Sequence, residues 1–412
     1  MQMKNEHTYY HTLPNGIRIV HKQTPSKVAW LGLMTGAGTR DESAELNGMA
    51  HYIEHTVFKG TATRSAKDII NRIEAIGGEL NAYTTKEETT FYAAVPEQYF
   101  ARATELIADM VFNPSFPTEE TKKELGVIYD EIESYNDSPS ELIYEDFENL
   151  LFEGHPLEMP ILGTKKSLKH ISKQKTRDFM QNNYCTEETV FFSLSSLPMS
   201  KVTSIAERYL SETPYSKSRA HMRLSPGSNE PRTAYYHRHT HQTHVMAGGR
   251  AYPIGHERQA ALYLLNNIVG GGSMNSRLNM SLREQRGLVY NIESSYTPLS
   301  DTGYWCVYFA SEPQYAEQCE ELVRKELKKL CKKPLSTSTF QRALKQLHGQ
   351  TAIAAENREN SALRIAKLML YGNEAPTWEE KFEEIARLTP AILCETAREI
   401  FNPDKLSTLR YQ

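Results

Sequence analysis

The feature that most limits the possible folds is an internal echo. The stretches 77–91 and 287–305 share one order: a glycine stop, a strand-like run, a turn and a second apolar run. Pro117 and Pro334, 217 residues apart (334 − 117), each precede a long helical pattern. A period of about 210 residues is far too long for a solenoid and predicts two copies of one domain. The 412-residue length accommodates two such copies. They are expected at 1–212 and 230–412, with a linker at 213–229 rich in Ser, Pro and polar residues.

Within each copy, helical periodicity alternates with hairpin-like strand pairs, which predicts an α+β fold with mainly antiparallel sheets. In the first copy, strands are expected at 16–20 and 29–34 and helices at 47–58 and 65–76, the second stopped by Gly77-Gly78. A hairpin over 79–95 and helices at 98–111 and 117–135 follow. In the second copy, strands are expected at 243–249, 288–292 and 302–309. Helices are expected there at 257–269, 276–285, 312–332 and 336–355.

Charge narrows the function. With 47 Lys+Arg against 51 Asp+Glu and no basic block, the chain lacks a nucleic-acid footprint. No apolar run approaches the ~18 residues that span a bilayer, so no membrane partner is expected. The five cysteines, Cys185, Cys306, Cys319, Cys331 and Cys394, are scattered without a Cys-x-x-Cys pair, the pattern of reduced thiols. The first residues carry neither an apolar signal core nor an Arg-rich transit helix, and a cytoplasmic location is expected.

The sharpest local pattern is His51-Tyr52-Ile53-Glu54-His55. On a helix, positions i and i+4 share a face, so both imidazoles can reach one ion. Two His, one carboxylate and a water make a catalytic zinc site, and Glu54 can lean toward its open position. The helix expected at 117–135 offers the third ligand. Glu124 and Glu131, seven apart, lie on nearly one face, and spacing does not choose between them; Asp130 and Glu133 project elsewhere. A rival is the tract His237, His239, His241 with His244 just beyond, which on a strand would align three imidazoles without a nearby base.

The runs 13–20, 48–61 and 77–84, with the inverted His-x-x-Glu-His at their centre, resemble the inverzincin (M16) family of zinc metallopeptidases. That family includes pitrilysin, insulin-degrading enzyme and mitochondrial processing peptidase, and the length and two-copy layout resemble its half-size processing-peptidase branch. The resemblance implies a zinc-dependent endopeptidase with one Zn²⁺ per chain, held by His51, His55 and Glu131. It implies Glu54 as general base and Glu124 as an outer support for a histidine ligand. It further implies that Arg283 and Tyr290 touch the substrate carbonyl, and that Asn81 and Ala82 hold a peptide strand. The helix expected at 257–269 has no such motif, so the second copy would serve binding only. In such families an enclosed chamber needs four copies, which implies a homodimer or pairing with another half-size subunit. The alternative is a non-catalytic partner subunit of a processing complex, whose metal motif is usually degraded; here it is intact.

Overall fold

In the computed structural model, residues 7–217, 223–227, 230–238, 240–372, 374, 376 and 378–412 are described. Along the chain come β1 (His7–Thr12), β2 (Arg18–Gln23), β3 (Val28–Thr35), α1 (Met49–Thr56), α2 (Ala66–Glu74), β4 (Glu79–Thr84) and β5 (Thr89–Pro96). Then follow α3 (Phe100–Phe112), α4 (Thr118–Asn136), α5 (Pro139–Phe152), α6 (Lys165–Leu168), α7 (Lys173–Asn183), β6 (Thr189–Ser195) and α8 (Met199–Leu210). After them come β7 (Thr233–Tyr236), β8 (Thr243–Ala251), α9 (Gln259–Val269), β9 (Val289–Pro298) and β10 (Gly303–Ser311). The chain ends with α10 (Ala316–Lys332), α11 (Thr337–Ala355), α12 (Arg358–Leu370), α13 (Trp378–Ala386), α14 (Pro390–Ile400) and β11 (Ser407–Tyr411). This is an α+β protein. No helix among the described residues is long and apolar enough to cross a membrane.

The chain forms two compact units. Unit 1 holds a six-stranded sheet in the order β1-β2-β6-β3-β5-β4, antiparallel except for β2 beside β6. Unit 2 holds a five-stranded sheet in the order β7-β11-β8-β10-β9, antiparallel except for β7 beside β11. From β2 and β7 onward the two orders correspond strand for strand, including the single parallel pair. Each sheet ends on the first strand of its hairpin, β4 or β9.

The units do not follow the division expected from linear sequence. Unit 1 comprises Met1–Glu133, Met159–Arg223 and Ala354–Ala375, whereas unit 2 comprises Ser134–Glu158, Leu224–Ile353 and Pro376–Gln412. The cause is that both faces of each sheet are apolar. In unit 1 one face joins the core of Leu31, Leu33, Ile53, Phe91 and Phe100; the other, with Met34 and Phe192, is covered by Ile365 and Ala366 of α12. In unit 2 the second face, with Met246 and Tyr308, is covered by Ile143 and Phe147 of α5. Each half of the chain thus contributes a helix to the other half's sheet. The expected linker is also partly structured. Asn15 Nδ2 donates to Thr213 O at 2.9 Å and Arg223 pairs with Asp41 at 2.7 Å, both within unit 1; residues 218–222 and 228–229 lie outside the described residues.

Local chemistry explains the elements nearest the site. Ser65 accepts from Asp68 N at 3.3 Å and opens α2. Gly77, at φ +73°, turns the chain after α2, and a Cβ on Gly78 would stand 2.8 Å from Ile73 and Val95. That close approach lets β4 start immediately and run along the sheet edge. The region expected as a regular helix at 276–285 is instead a π-helix, Asn279–Glu284.

Candidate metal centre

Helix α1 presents His51 and His55 one turn apart, with ring centroids 4.5 Å apart. Glu131, on α4, lies opposite them. Its Oε2 stands 3.6 Å from His51 Nε2 and 3.4 Å from His55 Nε2. Zinc bonds to imidazole nitrogen and carboxylate oxygen are ~2.0–2.2 Å, so two ligands at a tetrahedral angle lie roughly 3.4 Å apart. The observed spacing matches that value and is longer than a normal hydrogen bond. Among the described residues these three form a cluster able to hold a metal ion, with ligand atoms all within 4.8 Å of one another. The donor set fits zinc.

The surroundings sharpen the fit. Burial, reinforced by neighbouring His55, pushes the His51 pKa down to about 4, so its ring is neutral and free to ligate. Its Nδ1 is buried with no protein partner among the described residues. His55 is supported differently. Its Nδ1 lies 2.9 Å from Glu124 Oε1, which fixes the proton there and turns Nε2 toward Glu131. Glu124 Oε2 accepts from Lys59 Nζ at 2.7 Å. Burial opposes a proton on His55, yet the adjacent Glu131 and Glu124 outweigh it and raise its pKa. His55 in turn holds the Glu131 carboxyl below its usual range.

The heptad that left Glu124 and Glu131 open is resolved by height along α4: Glu131 faces both rings and Glu124 stands behind one of them. Asp130 is exposed, and exposed Glu133 pairs with Lys165. Lys59 was not anticipated, although it falls one helical turn after His55.

Glu54 is half-buried on α1, and burial raises its pKa above the usual carboxylate range. Helix α1 lies against β4, the edge strand, which among the described residues pairs with β5 alone. On β4, Asn81 is exposed opposite Tyr92, and Ala82 is half-buried opposite Phe91. Strand β4 therefore lies beside the helix that carries the histidines.

In unit 2 the structure brings Arg283 and Tyr290 together, with the guanidinium 5.7 Å from the ring centroid. Arg283 sits on the π-helix, and Tyr290, on edge strand β9, is 82% exposed. The histidine tract is not a strand: His237 and His241 fall in the connection between β7 and β8, and His239 lies outside the described residues. His244 is engaged by Tyr308 at 2.9 Å.

Comparison with known proteins places this arrangement. The description "Insulinase (Peptidase family M16)" matches residues 18–165, and "Peptidase M16 inactive domain" matches 170–347. An uncharacterized zinc protease of Streptomyces coelicolor is 32% identical over 396 residues, covering 94% of this chain and 86% of that protein. The chain belongs to the M16 peptidase family. An uncharacterized zinc protease of Bacillus subtilis is 29% identical over 395 residues and covers 96% of each chain. A crystallised M16 inactive-domain protein from Pseudomonas fluorescens shares the fold, with TM-score 0.91 at 19% identity over 98% of both chains. So does a protease from Helicobacter pylori, with TM-score 0.91 at 20% identity over 99% of this chain and 100% of that one. Within this M16 chain the metal cluster falls in the stretch matching the peptidase description, and Arg283 and Tyr290 fall in the stretch matching the inactive-domain description.

Proposed function

We propose that this M16 chain is a zinc-dependent endopeptidase acting on extended or unfolded peptides, with one Zn²⁺ per chain held by His51, His55 and Glu131. The observation that carries the reading is the convergence of two imidazole Nε2 atoms on one Glu131 oxygen at 3.4 and 3.6 Å. Bound zinc supplies Lewis acidity: it polarises a carbonyl oxygen and lowers the pKa of water from 15.7 to roughly 7. Glu54 does the proton work. It accepts a proton from the attacking water and returns it to the nitrogen of the broken peptide bond. Its raised pKa suits both halves of that cycle. Glu124 keeps His55 in the ligating tautomer.

Substrate binds by adding a strand to β4, with main-chain hydrogen bonds beside Asn81 and Ala82 giving affinity largely independent of side chains. The edge position of β4 supports this. Arg283 and Tyr290 donate to the carbonyl of the scissile bond, losing either of which would cost ~3 kcal/mol of transition-state stabilisation. Their pairing and the exposure of Tyr290 support this role. The active species is a pair of half-size chains, working in a reducing, cytoplasmic setting.

Metal removal tests the reading. Treatment with a chelator should abolish cleavage of an unstructured peptide library, and stoichiometric zinc should restore it. Cleavage that survives complete zinc removal would end the zinc-peptidase reading. A purified protein that takes up no zinc would instead favour a non-catalytic partner subunit.

A further inference from the structure

His51 and His55 are held in different ways. His55 has Glu124 behind it, whereas His51 Nδ1 has no protein partner among the described residues. With no hydrogen bond at Nδ1, the direction of the buried His51 ring is set by its packing and by the backbone that carries it. That backbone is the first turn of α1: Met49 and Ala50 open the helix and His51 is its third residue. First turns fray, because their N–H groups lack intrahelical acceptors. A helix of only eight residues has little cooperativity of its own to resist this.

The residue at the cap position cannot help. Gly48 has no side chain, and its φ of +92° is left-handed. A Cβ there would stand 2.8 Å from Leu162 O. The acceptor comes instead from Glu42, only 7% exposed, six residues upstream. Glu42 Oε2 accepts from Gly48 N at 2.7 Å and Asn47 Nδ2 at 3.0 Å, and Oε1 accepts from Ala50 N at 2.7 Å. Burial pushes the Glu42 pKa up, to about 8, and opposes the anion; its three partners are all donors and offer neither oxygen an acceptor for an acid proton, so the geometry is that of the carboxylate.

We propose that Glu42 is a positioning residue: its carboxylate clamps the first turn of α1 and so sets the rotation at which His51 meets the metal. The proposal rests on the assignment of His51, His55 and Glu131 as zinc ligands. The carboxylate accepts on both oxygens and also complements the positive end of the helix. Glutamine in its place would turn an amide NH₂ toward either Ala50 N or the Gly48–Asn47 pair, setting donor against donor. Losing this support should weaken His51 as a ligand while leaving His55 and the peptide-binding edge of β4 intact.

The test compares wild type with Glu42→Gln by zinc titration against a competing chromophoric chelator, by the visible spectrum of the cobalt-substituted protein, and by peptide-cleavage kinetics. Glu97→Gln serves as control. Glu97 also accepts from a backbone N–H in unit 1, that of Ser196 at 2.7 Å, but away from α1. The expected result is zinc binding at least 10-fold weaker in Glu42→Gln, an altered cobalt spectrum, and a fall in kcat with KM nearly unchanged. Glu97→Gln should lose thermal stability and keep wild-type zinc affinity. If Glu42→Gln does not fold, Asn47→Ala, which removes one donor, decides with an expected 2–5-fold loss of affinity. Wild-type zinc affinity and cobalt spectrum in the folded Glu42→Gln protein, or in Asn47→Ala where that variant decides, would overturn the clamp while leaving the ligand assignment standing. Failure of the wild type itself to bind zinc would overturn both.

Discussion

At the scale of single residues, the proposed zinc site depends on what stands behind each histidine. Glu124 links His55 to Lys59, with contacts of 2.9 and 2.7 Å. Glu124→Ala should leave the His55 tautomer unfixed and weaken zinc binding ~10–100-fold, measured by chelator competition. An affinity within two-fold of wild type would show that Glu124 does not orient the ring. The i, i+4 histidines were legible in the sequence because helical geometry alone brings them together. Spacing alone did not choose Glu131 over Glu124, because a heptad places both on one face and only the height of α4 against α1 separates them; the family resemblance made that choice. Glu42 was invisible for a related reason. A carboxylate that folds back across six residues onto a helix start leaves no periodic trace.

At the scale of elements, the exchanged helices carry the main surprise. Both are amphipathic in the ordinary way, and the sequence pattern does not say which sheet an apolar stripe will cover. All seven residues of β6 and all nine of β10 are buried, so neither strand alternates. A strand without alternation needs cover on both faces, here given by α12 for β6 and by α5 for the sheet of unit 2. The prediction belongs to α12. Ile365, 2% exposed, sits with Met34 and Phe192 in unit 1 although it lies far along the chain. Ile365→Ala should cost about 2–5 kcal/mol, seen as a lowered melting temperature, with faster amide exchange in β2, β3 and β6. Loosening confined to unit 2 would contradict the exchange.

At the scale of the whole molecule, the duplication in the sequence corresponds to matching strand orders in the two units, down to the single parallel pair in each. Only one unit carries a metal cluster among the described residues. The duplication was legible because turns and hairpins repeat at nearly constant spacing, but the strand order was not, since it runs through β6, β7 and β11, which the pattern did not mark. The boundaries were not, since linear division hides the exchange of α5 and α12. If the working unit is a pair, the mass in solution should be twice the 47.0 kDa of the chain, with zinc at one per chain. Full peptidase activity from a species of single-chain mass would refute the pairing.

Zinc content and peptide cleavage, measured on one preparation of Glu54→Gln, distinguish a zinc peptidase from a metal-binding scaffold. Glu54 lies beside His55 and outside the His51–His55–Glu131 cluster proposed to hold zinc, so removing its charge separates binding from chemistry. Glu54→Gln should hold one zinc per chain, as in wild type, with cleavage reduced by at least ~100-fold, the scale of a lost general base. Cleavage at the wild-type rate in the zinc-loaded variant would contradict the role of Glu54 as general base.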